Sequence, residues 1–309
     1  MPETTARPEI LVIRGGAIGD FILTLPAIGL LRENIPQARI EILGYRPVID
    51  LAVAGGYADS LRSLEHGAMA KLFVPNVPLD EALVAYFKRF NVVVSYLYDP
   101  DGYFRGNMER MGVKTFLEVS HRVQPGEGTA AAQLAKPLEK LALFLENPGP
   151  VLQIPPVEGL AGTVAIHIGS GSLKKNWPLE HWLRVIREIH AVAPATPLAI
   201  ITGEAEAERG MTSSLRQATQ GLNLSLWDQV PLPELAARLA GCRAFFGHDS
   251  GISHLAAAVG LPCLLLFGPT DPSVWAPQNP GVRVLRASEE DLAQLSFEEV
   301  WGHVKEFIR

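Results

Sequence analysis

The sequence predicts an α/β protein with two lobes, each built on a parallel sheet. Three observations lead to this fold class: short apolar runs alternate with longer amphipathic ones, a proline- and glycine-rich stretch interrupts the pattern near the middle, and glycine-rich turns follow several apolar runs. Such alternation is typical of βαβ units. The chain has 309 residues, 48% of them hydrophobic and 19% charged, which suits about two ordered domains and excludes general disorder.

The first half shows the alternation clearly. Residues 10–13, 39–43 and 92–95 are apolar runs rich in β-branched side chains and predict strands. Residues 20–34 and 79–90 carry the longer amphipathic pattern of helices. We therefore expect an N-terminal lobe in which strands and helices alternate around a parallel sheet.

A linker is predicted at residues 146–150, Glu-Asn-Pro-Gly-Pro, and two more prolines follow at positions 155 and 156. Helices end before proline, and clustered proline and glycine mark connections between domains. We therefore place the two lobes at residues 1–150 and 151–309.

The alternation restarts after the linker. Strands are predicted at residues 163–167, 197–202, 244–246 and 263–267. Helices are predicted at residues 178–191, 204–220 and 289–308. Two consecutive α/β halves predict two Rossmann-like lobes whose parallel sheets face a central cleft, and the last helix is a candidate to pack back on the N-terminal lobe.

Composition and charge exclude several classes of protein. The formal net charge of −6 lacks the basic footprint of a dedicated nucleic-acid binder. Two cysteines cannot form a disulfide framework, and no Cys-x-x-Cys pair is present for zinc. The N-terminus lacks the basic start and apolar core of a secretory signal, and the longest apolar stretch, residues 255–269, is broken by Gly260 and Pro262. We expect a cytoplasmic protein.

A glycine-rich turn, Arg14-Gly-Gly-Ala-Ile-Gly-Asp20, follows the first predicted strand and opens the first helix. Glycine permits a tight turn, and a helix N-terminus offers free N–H groups to an anion, so Gly16 and Gly19 are candidate ligand contacts. The dinucleotide fingerprint Gly-x-Gly-x-x-Gly is not met, because position 14 is arginine. The phosphate-binding sequence Gly-Lys-Ser/Thr does not occur either.

Asp20 ends this turn and has two interpretations. Aspartate is a good N-cap, and the side chain can serve only to start the helix. Alternatively, it is a carboxylate at the mouth of the cleft, placed to accept a proton. The sequence leaves both open.

Two motifs in the second half follow predicted strands, where α/β sheets bind ligands. In the segment from Gly169 to Pro178, serines such as Ser170 and the charge of Lys175 suit a pyrophosphate, although a polar surface loop would have the same composition. In Gly203-Glu-Ala-Glu206, the Glu206 carboxylate can accept both hydroxyls of a ribose. An acidic first helical turn explains it equally well.

The stretch from Gly247 to Ala258 is the most informative. Asp249, Ser250 and Gly251 predict a turn into an alanine-rich helix, and their small size lets backbone approach a ligand closely. His254 is polar beside apolar packing, which indicates either a ligand contact or a core histidine. A hydrolase nucleophile is not indicated, because no Gly-x-Ser-x-Gly surrounds Ser250.

Taken in order, these motifs resemble glycosyltransferase family 9, the ADP-heptose:lipopolysaccharide heptosyltransferases. The matching blocks are Ile13-Arg-Gly-Gly-Ala-Ile-Gly-Asp20 with Thr24-Leu-Pro-Ala27, Lys175-Asn-Trp-Pro178 with His181-Trp182, Gly203-Glu-Ala-Glu206, Asp249-Ser-Gly251 with His254-Leu-Ala-Ala257, and Phe267-Gly-Pro-Thr-Asp271. The resemblance implies a GT-B fold with the donor held mainly by the C-terminal lobe. It also implies inverting, metal-independent sugar transfer without a cofactor.

Carried over by position, the resemblance implies that Asp20 is the general base, that Lys175 contacts the donor phosphates and that Glu206 contacts the ribose. The other donor-binding residues it implies are Gly16, Gly19, Ser170, Asp249, Ser250, Gly251 and His254. The family's usual His-Pro-Gly is replaced here by His167-Ile168-Gly169, and residues 98–133 match no acceptor pattern.

The partners implied are a nucleotide-sugar donor, with ADP-heptose first among them, and a glycan or glycolipid acceptor. An amphiphilic acceptor implies peripheral contact with the cytoplasmic face of the inner membrane. Candidate contacts on the N-terminal lobe are Arg105, Arg110, Lys114 and Arg122, although solvated surface charge explains them as well.

Two other functions stay open on the sequence. A nucleotide-sugar epimerase with the same fold would need no acceptor. A non-catalytic module could bind a nucleotide-sugar or glycan, although the carboxylate of Asp20 favours catalysis.

Overall fold

A computed structural model describes residues 7–120 and 122–308 of the chain. The chain divides into two compact units, Met1–Pro148 and Gly149–Arg309. The division falls within the proline- and glycine-rich stretch, two residues before the position expected from the sequence.

The first unit contains a five-stranded sheet in the order β3-β2-β1-β4-β5, in which every neighbouring pair is parallel. The strands are β1 (Glu9–Arg14), β2 (Arg39–Gly44), β3 (Ser60–Ser63), β4 (Val92–Ser95) and β5 (Phe116–Glu118). Because β1 lies at the centre of the sheet, its four middle residues are buried and apolar.

Six α-helices are described in this unit. They are α1 (Ile18–Asn34), α2 (Asp50–Ala54), α3 (Gly67–Ala70), α4 (Glu81–Lys88), α5 (Tyr103–Arg110) and α6 (Ala130–Ala135). Helix α1 is apolar on almost every side, with ten of its 17 residues buried, and it packs against α6. It begins at Ile18, two residues before the predicted start, because Ala17 with its extended backbone occupies the N-cap position.

The second unit contains a six-stranded parallel sheet in the order β11-β10-β9-β6-β7-β8. Its strands are β6 (Val164–His167), β7 (Leu198–Thr202), β8 (Leu224–Asp228), β9 (Ala244–His248), β10 (Cys263–Phe267) and β11 (Val282–Arg286). Strand order reverses between β6 and β9, so loops that leave these two strands diverge and create a crevice at their carboxyl ends.

The described helices of the second unit are α7 (Leu179–Val192), α8 (Glu204–Glu208), α9 (Met211–Ala218), α10 (Leu232–Ala240), α11 (Gly251–Ala258), α12 (Pro272–Trp275) and α13 (Phe297–Ile308). The helix predicted at 204–220 is two helices, because Gly210 between them adopts a left-handed backbone with φ of 68°. The last helix is shorter than predicted, and its buried residues, from Phe297 to Ile308, belong to the core of this unit.

The prediction of two α/β units, each with a parallel sheet, is confirmed. All seven strands predicted from the sequence are present, at or near the predicted residues. Each unit places its strand ends and the following loops at one edge of its sheet, and the candidate residues lie at these two edges.

Candidate active site

The predicted motifs of the second unit lie at the carboxyl ends of four adjacent strands, and the donor-binding candidates follow three of them, β6, β7 and β9. In the sheet order β10-β9-β6-β7, each strand is followed by one of the predicted motifs. The motifs are separated in sequence by up to about a hundred residues, yet adjacent parallel strands bring their carboxyl ends together. The topology therefore explains why motifs that are distant in the chain meet at one edge.

Lys175 and Asp249 form the central charged contact. The Lys175 ammonium donates to Oδ2 of Asp249 at 2.6 Å, and the Thr270 hydroxyl donates to the same oxygen at 2.6 Å. The Asp249 side chain is 9% exposed and that of Lys175 is 30% exposed. A cation is therefore held in a fixed position with part of its surface open to a ligand, and Thr270 joins the site although its role was not expected from the sequence.

His167 connects two predicted residues that have no direct contact with each other. It is the last residue of β6 and is buried; its Nδ1 lies 3.2 Å from the Ser250 hydroxyl, and its Nε2 lies 3.8 Å from Oε2 of Glu206. Ser250 is the N-cap of α11 and accepts the backbone N–H of Ser253. A polar chain thus runs from the end of β7 to the start of α11.

Glu206 is directed toward the protein. Its Oε2 accepts the backbone N–H of Gly203 at 2.8 Å, and a Cβ added to Gly169 would lie 1.9 Å from its Oε1. Burial alone would raise the pKa of Glu206, but the contacts with His167 and with the Gly203 N–H outweigh it and hold the pKa below its ordinary value. Glu206 is therefore an ionised carboxylate that caps the start of α8 through the Gly203 N–H and packs closely against Gly169 in the loop after β6. Its contact with a ribose stays a prediction.

His248 is a further member of the site that sequence reasoning missed. It is fully buried at the end of β9, and its Nε2 accepts the backbone N–H of Trp177 at 2.8 Å and the indole N–H of Trp182 at 3.0 Å. Burial lowers its pKa to about 3, with the nearby His167 acting in the same direction, so the ring is neutral. Its role is to hold the loop that carries Lys175 in place. The sequence signal for His248 was the Trp-Pro…His-Trp motif, because its two tryptophans, Trp177 and Trp182, supply the two N–H donors.

The remaining candidates of this unit have structural contacts. The Ser170 hydroxyl lies 2.7 Å from the carbonyl oxygen of Ser172 and 2.6 Å from the side-chain oxygen of Asn176, and so shapes the lysine loop. Gly251 is the first residue of α11. His254 is buried one turn further along α11, where its backbone N–H donates to the Ser250 carbonyl.

In the first unit, Gly16 lies in the turn between β1 and α1, and Gly19 and Asp20 lie in the first turn of α1. Gly16 has a φ of 99°, and a Cβ there would lie 3.0 Å from Oδ2 of Asp20, so glycine is needed for both backbone and space. The interpretation of Asp20 as the N-cap is wrong. It occupies the third helical position, where its Oδ2 accepts the backbone N–H of the N-cap residue Ala17 at 3.2 Å.

The described residues also bear on metal binding and on membrane spanning. Within residues 7–120 and 122–308, no three His, Cys, Asp or Glu side chains are grouped so that they could hold a metal ion. The single Asp-x-Asp of the sequence, Asp99 to Asp101, follows β4, and both oxygens of Asp99 accept backbone N–H groups of α5. Among the helices described, none is long and apolar enough to span a bilayer.

The basic residues considered for membrane contact are partly engaged within the protein. Arg105 forms an ion pair with Glu118 and lies over the ring of Phe116. Arg110 donates to the side chain of Asn107 and to the carbonyl of Val77. Their contribution to membrane binding stays a prediction.

Comparison with known proteins supplies the family. The family model for glycosyltransferase family 9 (heptosyltransferase) matches residues 154–305, about half of the chain. The chain is 23% identical over 295 residues to lipopolysaccharide heptosyltransferase 3 of Escherichia coli. This match covers 84% of the chain and 83% of the relative. It is 27% identical over 112 residues to lipopolysaccharide heptosyltransferase 2 of Salmonella typhimurium, but this match covers 36% of the chain and only 32% of the relative.

Solved structures show the same fold. The glycosyltransferase family 9 protein from Veillonella parvula superposes with a TM-score of 0.78 at 18% identity, covering 98% of this chain and 97% of that one. The E. coli heptosyltransferase WaaC, solved with ADP-2-deoxy-2-fluoro heptose, superposes with a TM-score of 0.74 at 16% identity, covering 96% and 99% of the two chains. These likenesses identify the fold as GT-B, and with the family match they show that the chain is a glycosyltransferase belonging to family 9, the heptosyltransferase family.

Proposed function

We propose that this enzyme transfers a heptose from ADP-heptose to a lipopolysaccharide-type acceptor, with inversion at the anomeric carbon and without a metal ion. The observation that supports this most directly is the contact of Lys175 with Asp249 and Thr270 beside the N-terminus of α11. A cation next to free helical N–H groups suits a diphosphate. The relatives' names supply the heptose and the lipopolysaccharide.

In this proposal the donor diphosphate meets Lys175 and the first turn of α11. The ammonium, now neutralised by Asp249, exchanges part of that contact for phosphate oxygens, and Ser250 and Gly251 add donors at the helix start. As the diphosphate leaves, its charge grows, so the same groups stabilise the transition state more than the bound donor. The Asp249 carboxylate can then accept a hydrogen bond from a hydroxyl of the sugar.

Asp20 is the proposed general base. The acceptor hydroxyl attacks the anomeric carbon from the face opposite the diphosphate, and Asp20 takes its proton while ADP leaves with the electron pair of the broken C–O bond. The Asp20 side chain is 44% exposed, so an incoming hydroxyl can reach it.

Two cavities in the first unit are proposed to take part in acceptor binding. They have volumes of about 400 and 290 Å³, lie beyond the ends of β4 and β5, and share Glu118 and Ser120 in their walls. The walls combine polar side chains such as Glu118 and Ser120 with apolar surface, which suits the hydroxyls and the ring faces of a glycan. A lipid-linked acceptor would bring the enzyme to the cytoplasmic face of the inner membrane as a peripheral protein.

The test is acceptor-dependent release of ADP. The purified protein is incubated with ADP-heptose, with and without heptose-deficient lipopolysaccharide, in the presence of EDTA, and UDP-glucose serves as the control donor. We expect ADP only when both substrates are present, together with a product heavier by one heptose and inverted at the anomeric carbon by NMR. An epimerised donor without acceptor, or donor binding without turnover, would contradict the proposal.

A further inference from the structure

Arg14 is a buried arginine whose charge the first unit does not need for packing. It is the last residue of β1, and its side chain is 10% exposed. One terminal nitrogen donates to the carbonyl oxygen of Asp20 at 3.1 Å and lies 3.7 Å from Oδ1 of the same residue. The guanidinium carbon lies 5.4 Å from the centre of the Tyr96 ring.

Burying this guanidinium is costly. Its pKa is lowered by burial, and the charge of Asp20 and the nearby Tyr96 offset only part of that effect. In the part of the chain that is described, its Nε is buried without a hydrogen-bond partner. An apolar side chain of similar length would fill the same space without these costs, so packing alone does not explain an arginine here.

The two carboxylate oxygens of Asp20 are in different situations. Oδ2 accepts the backbone N–H of Ala17 at 3.2 Å, so it is fixed to the start of α1. Oδ1 faces Arg14 at 3.7 Å, which is close enough for electrostatic attraction but too long for a hydrogen bond. Oδ1 therefore keeps its lone pairs for another proton donor while it lies beside a positive charge.

We propose that Arg14 is a positioning residue, which orients the Asp20 carboxylate so that Oδ1 is the atom that receives the acceptor proton. This inference rests on the proposed function, since it assumes that Asp20 is the base. The carbonyl contact fixes the first turn of α1, and the stacking on Tyr96 fixes the guanidinium. Tyr96 is itself held by its hydroxyl, which donates to the carbonyl of Leu134 in α6 at 3.1 Å.

Few other titratable groups face this pair. Tyr96 comes from β4, and Tyr45, after the end of β2, lies against the adjacent Gly15, where an added Cβ would be 3.2 Å from its ring. Helix α6, which packs on α1, has the sequence AAAQLA and contributes no ionisable side chain. A change in the position of the Asp20 carboxylate on removal of Arg14 can therefore be assigned to that arginine.

The first test reads the position of Asp20 without relying on activity. Crystal structures of the wild-type protein, Arg14→Met and Arg14→Lys are compared at the first turn of α1. In Arg14→Met the Asp20 Oδ1 should leave its wild-type position, whereas Arg14→Lys should keep most of that position. Asp50, which pairs with Arg46, serves as the internal control and should not move.

The second test uses transfer kinetics. Arg14→Met should lower kcat by roughly 10–100-fold, the scale of a misplaced catalytic group, with the affinity for ADP unchanged, and Arg14→Lys should recover most of the loss. In an Asp20→Asn background the same substitution should change kcat less than about twofold, because its effect acts through the carboxylate.

The outcomes separate the two ideas. An unchanged position of the Asp20 carboxylate in folded Arg14→Met, or a full additional loss in the Asp20→Asn background, would overturn the role of Arg14 and leave the proposed function intact. Near-normal transfer by Asp20→Asn would instead remove the base assignment and, with it, this inference.

Discussion

In the second unit the candidate residues are buried and connected to one another across four strand ends, whereas in the first unit they lie in one turn that is open to solvent. The Glu206 and Asp249 side chains are 4% and 9% exposed, against 44% for Asp20. The second-unit site depends on the packing that surrounds it, so a substitution there should change ligand binding and protein stability together. The exposed Asp20 of the first unit can be replaced with little effect on folding, and its carboxylate is accessible to a hydroxyl that must lose a proton.

The largest effect expected from breaking the second-unit site is on affinity for the nucleotide. Lys175→Met removes a charge-assisted contact with phosphate, which contributes about 1.5–3 kcal/mol, so the dissociation constant for ADP should rise by roughly 10–150-fold. Isothermal titration with ADP measures this directly. Lys174→Met is the matched control, because Lys174 is its exposed neighbour in the same loop, and it should bind ADP almost normally. Equal losses in the two variants would contradict the assignment.

The next largest effect is expected on the folding stability of the second unit, in the Gly169→Ala variant. In Gly169→Ala the new methyl group would meet the Glu206 carboxylate, which is already fixed by Gly203 and His167, so the neighbours must move. We expect a loss of about 1–3 kcal/mol in the free energy of unfolding, as for other overpacked sites. Gly171→Ala is the control, since nothing lies within 4 Å of a Cβ at that position. A fully stable Gly169→Ala protein would show that the second-unit site is less tightly packed than described.

The two units should also differ in their response to acid. The pKa of His248 is about 3 in the folded protein, below the ordinary value of 6.5, so the unfolded chain binds the extra proton first. The contribution of neutral His248 to the free energy of unfolding is complete above pH 6.5 and is lost as the pH falls toward 3. The free energy of unfolding then falls by at most about 1.4 kcal/mol per pH unit. In the first unit, Glu41 and Asp59 have lowered pKa values and lose their contribution only below their ordinary values of 4.5 and 3.8.

The fluorophores allow this to be measured unit by unit. All five tryptophans lie in the second unit and all six tyrosines in the first. In denaturant unfolding between pH 7 and 5, the midpoint followed by tryptophan emission should therefore fall with pH, whereas the midpoint followed by tyrosine emission should change less. His248→Gln should flatten this pH dependence, whereas His190→Gln, on the half-buried surface of α7, should keep it. The same slope in both variants would rule out His248 as its origin.

The smallest effect is expected at Thr270. Thr270→Val removes the hydroxyl that shares Oδ2 of Asp249 with Lys175, so Asp249 should hold the ammonium more tightly and compete better with phosphate. A neutral hydrogen bond contributes about 0.5–1.5 kcal/mol, which corresponds to a loss of about 2–10-fold in ADP affinity. Thr270→Ser keeps the hydroxyl and should restore binding; failure to do so would make the effect one of packing.

The strands predicted from the sequence are those with neighbours on both sides in the sheet. The four that were missed, β3, β5, β8 and β11, are the edge strands of the two sheets. Central strands are covered on both faces and appear as continuous apolar runs, as in the CLLLF of β10, whereas edge strands mix polar and apolar residues, as in the VRVLR of β11. The sequence pattern therefore identifies burial more directly than it identifies strands.

The candidate site divides in a similar way. Lys175 and Asp249 were predicted from the composition of their turns, and the structure brings them into contact. His167 and His248 were missed, because their importance depends on partners that are distant in sequence. Asp20 was placed at the start of the first helix with two interpretations left open, and the N-cap interpretation is wrong, because local residue preferences alone could not distinguish the N-cap from the third helical position.

The central claim, that the second unit holds the donor while Asp20 performs the chemistry, is tested most directly by single-turnover transfer in the Asp20→Asn variant. The enzyme is saturated with ADP-heptose, mixed rapidly with excess heptose-deficient lipopolysaccharide and quenched at successive times. We predict donor occupancy like that of the wild type and a transfer rate lower by roughly 10²–10⁴-fold, the usual cost of losing a general base. A rate within about threefold of the wild type would contradict the account, because the amide cannot take the acceptor's proton.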